Sequence, residues 1–189
     1  MLRTALLLID FQKDYFSGGK LPLVGALEAA QKAYMVLQCF REHGGHHVHI
    51  QHISREPDAA YFISGDRGTD IHDSVAHFEG EPIVYKHEAN AFSHTDLLEL
   101  LKSWETERIV ITGMMTHLDV NFTARAASDL GFQVIIAEDA CATCDLKSGN
   151  TVIHAEQVQE SFLASFKSYG RVMKAEEILA LLAAEQEKL

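Results

Sequence analysis

Three ionisable residues stand at the ends of apolar runs. Asp10 follows Ala5-Leu6-Leu7-Leu8-Ile9, Lys86 follows Ile83-Val84-Tyr85, and Asp119 closes the stretch that begins at Gly113, just after Arg108 to Thr112. Gln51 and His52 end a further run, His47 to His52. In an open parallel sheet, ligands bind outside the carboxyl ends of the strands. A carboxylate, an ammonium and a second carboxylate would then meet on one rim, each shifting its neighbours' pKa values. Such a group can move protons. It can also be an ionic cluster that closes strand ends, and position alone leaves both readings open.

The elements that must position these residues alternate along the chain. Strand-type runs are read at 5–9, 47–52, 83–85, 108–112, 132–137 and 171–173. The first is continuously apolar, as in a strand buried on both faces. Helical spacing is read at 24–42, 96–104, 118–130, 151–166 and 175–187, with Thr95 as an N-cap and Gly44-Gly45 and Gly131 as stops. Residues 53–81 lack sustained periodicity, and a loop of that length reads as a lid or binding loop. The alternation predicts an α/β fold in three α/β/α layers around a parallel sheet. A single domain is expected over 1–189.

The chain of 189 residues carries 16 Lys and Arg against 27 Asp and Glu, a net charge of −11. That argues against partners with a phosphate backbone and against an acidic membrane surface. Met1 to Asp10 has no small-residue cleavage site and is a poor signal peptide, so a cytoplasmic location is expected. Three cysteines make no disulfide framework.

Four segments carry a resemblance. Leu6-Leu7-Leu8-Ile9-Asp10-Phe11-Gln12, Tyr85-Lys86-His87-Glu88-Ala89-Asn90-Ala91-Phe92, Gly113-Met114-Met115-Thr116-His117-Leu118-Asp119-Val120 and Thr123-Ala124-Arg125-Ala126-Ala127 resemble, in order, the signatures of the isochorismatase-like hydrolase superfamily. Glu138-Asp139-Ala140-Cys141-Ala142-Thr143 resembles the stretch after its fifth strand. The resemblance implies a Rossmann-like, six-stranded parallel sheet and a site of Asp, Lys and, in most members, Cys. Asp10 and Lys86 match the first two. The Cys position holds Asp119.

That departure governs the expected chemistry. In the cysteine hydrolases of the family a thiolate attacks an amide carbon, and a thiol suits that role because its pKa is tunable. A carboxylate there would give a reactive anhydride. Isochorismatases proper do without the Cys: the Asp protonates an enol-ether carbon and water completes the cleavage, which requires only a placed acid. Asp10 is the expected acid or base, Lys86 its electrostatic partner, and Asp119 the group that orients water or raises Asp10. Two close carboxylates with one ammonium are expected to retain one proton. The flanking Gly-Met-Met-Thr-His-x-x-Val resembles the cysteine-hydrolase branch, so a silent homologue that keeps the pocket is the alternative reading. The resemblance also implies a non-proline cis peptide at Met114–Met115 or its neighbour.

Substrate contacts are expected from Phe11, Phe16 and Tyr61 in the rim loops, from Phe92, from His52 at its strand end, and from Met115, Thr116 and His117 beside Asp119. Each aromatic residue read singly is equally an ordinary packing residue. No cofactor is expected, and no metal, because His49 and His52 lie three apart on an extended chain and face opposite sides. The other histidines are read as exposed or in loops. Cys141-x-x-Cys144 has redox spacing but lies in a loop after the fifth strand, where two plain thiols are the simpler reading. The partner is a small-molecule substrate, with no nucleic acid and no membrane. Family members are commonly dimers or tetramers, which implies a homo-oligomer.

Overall fold

The computed structural model of the chain describes residues 3–56 and 58–187. Six parallel strands form one sheet in the order β3-β2-β1-β4-β5-β8, and a two-stranded hairpin, β6-β7, stands apart. The sheet strands are β1 (Thr4–Ile9), β2 (His46–His52), β3 (Ile83–Lys86), β4 (Arg108–Met114), β5 (Gln133–Ala142) and β8 (Arg171–Met173). The chain starts mid-sheet, walks to one edge, then returns to the far side of β1. The order therefore reverses between β1 and β4, the place where open α/β sheets hold ligands.

Period-two alternation divides the strand residues between two helical layers. Leu6, Leu8, Val110 and Ile135 face α1 (Ala26–Glu42) and α5 (Ala175–Gln186). Ala5, Leu7, Ile9, Ile109, Ile111 and Ile136 face α2 (Leu97–Ser103), α3 (Asn121–Asp129) and α4 (Ala155–Phe166). On α1 the small residues Ala26, Ala29, Ala30 and Ala33 are all buried, so the helix lies close on the sheet. Gly113 is required where β1 and β4 touch. A Cβ there would fall 2.2 Å from the Ile9 carbonyl oxygen, and its φ of +141° suits only glycine.

The predicted elements are present with three differences. Residues 151–153 do not begin a helix. They form β7 (Thr151–Ile153), paired antiparallel to β6 (Leu146–Ser148) across Gly149 and Asn150, and α4 starts at Ala155. Gly149 takes φ +60°, the left-handed turn that a two-residue hairpin needs. Strand β5 runs on to Ala142, because a bulge after Ile136 lets Cys141 and Ala142 pair with Gly113 and Met114. The predicted helix from 118 begins as a wide π-type turn at Thr116–Val120 and becomes α3 only at Asn121. No helix of the described residues is long and apolar enough to cross a membrane.

The described residues between β2 and β3 run from the carboxyl end of β2 back to the amino end of β3, held by polar side chains. Gln12 acts as a substitute strand neighbour: its Oε1 accepts from the His52 N–H at 2.7 Å, and its Nε2 donates to the His52 and Thr69 carbonyls at 2.8 and 2.9 Å. Gln51 donates to the Thr69 carbonyl at 2.7 Å. Buried Asp14 accepts from the Phe62 N–H at 2.7 Å and the Lys20 N–H at 3.2 Å. At the segment's far end, Arg41 of α1 donates to both Glu81 carboxylate oxygens, at 2.7 and 2.8 Å, and to the Ala76 carbonyl at 2.9 Å. His47 and His49 Nε2 face the same carboxylate at 2.9 and 3.6 Å.

His49 lies inside β2, as its run predicts, and is 1% exposed. Burial lowers its pKa to about 4, although Glu81 pulls the other way. Burial pushes Glu81 up, but bonds from Arg41, Phe78 and His47 outweigh it and hold the carboxyl at about 2. Both folded-state pKa values are depressed. For His49 the contribution is complete above the unfolded pKa of about 6.5 and is lost as pH falls towards about 4, because the unfolded chain takes the proton first. Unfolding measured across pH should show up to about 3 kcal/mol lost in that window. His49→Gln should flatten this slope; a variant curve parallel to that of the natural chain would refute the assignment.

Candidate active site

Asp10 leaves β1 with φ +51°, a left-handed turn that Asp and Asn tolerate better than most residues. Its N–H donates to the Ile50 carbonyl at 3.0 Å, which caps the strand, and its carboxyl turns into the switch-point crevice. Lys86 ends β3, in register with His52 of β2. Asp119 projects from the π-type turn after β4. Three strand ends and one turn therefore bring together residues far apart in the chain.

The Lys86 Nζ is the centre of the group. It lies 2.7 Å from Asp10 Oδ2 and 2.7 Å from Asp119 Oδ1. His52 Nδ1 is at 3.0 Å and the Glu88 carbonyl oxygen at 3.3 Å. Four acceptors surround three ammonium hydrogens, so the amine is fully engaged. Asp10 and Lys86 are 0% exposed and Asp119 is 2% exposed. Neither Asp10 oxygen has a hydrogen bond of good geometry among the described residues; Oδ2 meets Lys86 as an ion pair, and Oδ1 has no polar partner.

The electrostatics follow from two acids sharing one buried cation. Burial is the largest effect on Asp10 and raises its pKa well above the ordinary value; Asp119 adds to the rise, and Lys86 only partly offsets it. Burial also pushes Asp119 up, but His52 and the Lys86 ammonium together bring it below the usual carboxylate range. Lys86 is pushed down by burial and raised, on balance, by both carboxylates. The two shifts run in opposite directions, so a proton retained by the pair is favoured on Asp10 over Asp119.

Asp10, His52 and Asp119 also bring three possible metal-ligand atoms within 4.8 Å of one another. The Lys86 ammonium contacts an atom of each, at 2.7, 2.7 and 3.0 Å, so these donors already serve a cation of the protein's own.

The remaining predicted residues divide by position. Tyr61 lines a cavity of about 210 Å³ together with His52, Ser54, Glu56 and Phe62. Met115 is buried with its sulfur 3.8 Å from Cys144 Sγ. Thr116 donates to the Ala142 carbonyl at 3.1 Å, so its hydroxyl braces the loop. His117 Nδ1 pairs with Thr143 Oγ1 at 2.6 Å, and its ring meets Phe162. Phe11 and Phe16 pack in the core layer beside α1, with Phe16 stacked on His72. Phe92 stacks on Phe132 in the opposite layer. The Met114–Met115 peptide is cis. All three cysteines are free; Cys39 is half-buried on α1 and Cys141 fully buried. Tyr15, five residues after Asp10 in the same aromatic loop, packs its ring against Phe62 and lies 5.9 Å from that of Tyr61.

The comparisons agree with this architecture. The model of the isochorismatase domain matches residues 4–177. The chain is 37% identical to the uncharacterized isochorismatase family protein YddQ of Bacillus subtilis, over 93% of this chain and 98% of that one. It superposes with a TM-score of 0.91 on the crystal structure of an isochorismatase-type protein from Oleispira antarctica, 43% identical, covering 94% of this chain and 96% of that one. A streptothricin hydrolase of Streptomyces noursei is 31% identical over 75% of this chain and 55% of its own length. With its reversed sheet order, its buried Asp–Lys pair at the switch point and these relatives, the chain belongs to the isochorismatase family of hydrolases.

Proposed function

We propose that the protein hydrolyses a small molecule without a cofactor, with Asp10 as a carboxylic acid that donates its proton. The carrying observation is the buried Asp10 carboxyl, whose pKa is raised well above normal by burial and whose Oδ1 has no protein partner. In vinyl-ether cleavage the acid protonates the enol-ether carbon, water adds to the resulting oxocarbenium carbon, and the hemiketal collapses to a ketone and an alcohol. Asp119, ionised and fixed on Lys86, orients the water and accepts its proton. Lys86 holds the charges in place and, with its hydrogens engaged, is no nucleophile. A carboxylate at position 119 fits this scheme better than amide hydrolysis through an acyl-enzyme, which would pass through an anhydride.

The second reading is a cysteine hydrolase whose nucleophile is replaced. The flanking Gly113-Met114-Met115-Thr116-His117 supports it, as does the position of Asp119 in the turn that leads into α3. The protein is further proposed to be cytoplasmic and a dimer or tetramer. Exposed Val24, Leu27, Tyr34 and Met35 on and beside α1 support the assembly.

Hydrolysis of isochorismate, simple amides, carbamates and esters distinguishes the two. Turnover by the natural chain, lost by a factor of about 10²–10⁴ in Asp10→Asn, supports the acid mechanism. Activity that appears only in Asp119→Cys supports the replaced nucleophile. Because the acid must be protonated, kcat/KM should fall as pH rises through the raised pKa of Asp10, and a profile flat on the alkaline side would remove the acid role.

Removal of the shared cation tests the charge balance itself. Lys86→Met should cost about 3–5 kcal/mol in unfolding free energy at neutral pH, because Asp119 is left buried and unpaired. Adding Asp119→Asn to that variant should recover a large part of the loss. Equal stability of the single and double variants would show that the pair carries no such coupling.

A further inference from the structure

We propose that the cavity beside His52 is a specificity pocket for a positively charged end of the substrate, an alkylammonium group, with Glu56 as its counter-ion. The inference rests on the hydrolase reading above and names a substrate class for it.

The cavity measures about 210 Å³ and lies in the loop that leaves β2. Its frame is tied down by hydrogen bonds. The Ser54 N–H donates to the Phe62 carbonyl at 2.9 Å and closes the loop at its base. The Phe62 N–H donates to the buried Asp14 carboxylate at 2.7 Å. Phe62 is held there at φ +57°, a left-handed conformation that a bulky side chain adopts only under strain. Such strain persists where the surroundings impose it, and it gathers at ligand sites.

The lining points to a cation. Glu56 lines the cavity and is exposed, and its carboxylate has no ion pair among the described residues. Tyr61 and Phe62 line the same space, with ring centroids 5.1 Å apart and planes at 76° to each other. A carboxylate beside two crossed aromatic rings suits an ammonium: the carboxylate supplies opposite charge, and ring faces attract cations. Ala59 and Ala60 complete the wall with small side chains. An anionic group would be repelled by Glu56, and the net charge of −11 favours a cationic ligand at long range. His52 joins this pocket to the chemistry. It lines the cavity, and its Nδ1 lies 3.0 Å from Lys86 Nζ and 3.8 Å from Asp119 Oδ1.

The test titrates the full chain with choline and with 3,3-dimethylbutan-1-ol, which has the same shape and no charge, by ligand-detected NMR. Choline should bind, and the uncharged isostere should bind about tenfold more weakly. Glu56→Gln, a change at an exposed side chain, should weaken choline about three- to tenfold and leave the isostere unchanged. Tyr61→Leu should weaken choline more than the isostere. The His52 ring resonances should shift as choline binds, which places the ligand in this cavity. Absence of choline binding, equal affinity for the two probes, unchanged choline affinity in Glu56→Gln, or unmoved His52 resonances overturns the proposal. Choline binding does not use the acid and should persist in Asp10→Asn. Failure of the acid mechanism and failure of the pocket therefore give different results.

Discussion

The site depends on one ammonium group shut away from water with two carboxyl groups against it. A buried Lys is tolerated only where opposite charge replaces its hydration, and a buried pair of acids only where a cation or a proton separates them. Lys86, Asp10 and Asp119 meet both needs at once, with each acid 2.7 Å from Nζ. Burial raises the pKa of Asp10 while His52 and Lys86 lower that of Asp119, so the two acids differ in their hold on a proton. The sheet order, the glycine at 113 and the turn that carries Asp119 all set these distances.

Around that centre, most of the organisation is done by side chains that imitate backbone. Gln12 bonds to both peptide groups of His52 as a neighbouring strand would, and Asp14 does the same work for Phe62 and Lys20. These bonds turn a long irregular segment into a fixed wall. The wall therefore owes its shape to a few amide and carboxylate groups together with the apolar packing of Phe62 and Val75.

This division explains what was legible in the sequence. The strand runs, the alternation with helices and the position of Asp10, Lys86 and His52 at strand ends could be read, because burial against a layer leaves a period in the chain. The resemblance in the stretch Gly113 to Val120 located Asp119. The second hairpin strand, 151–153, falls in the predicted helix because three-residue strands are too short for a period to show, although Gly149-Asn150 is a turn signal. The burial of His49 could not be read, since it depends on Glu81 thirty-two residues later.

The order of the strands also bears on how the chain is made. Asp10 is synthesised first, its cation arrives with β3, and Asp119 follows after β4, the central partner of β1. Until Lys86 emerges from the ribosome, the β1 end has an acid and no ammonium to meet it. Until β4 emerges, β1 has an open edge on one side. The two halves of the sheet can close only around contacts of long sequence separation, which fold slowly and leave strand edges exposed meanwhile. A chain that stalls before residue 108 holds three of the six sheet strands and an incomplete charge set.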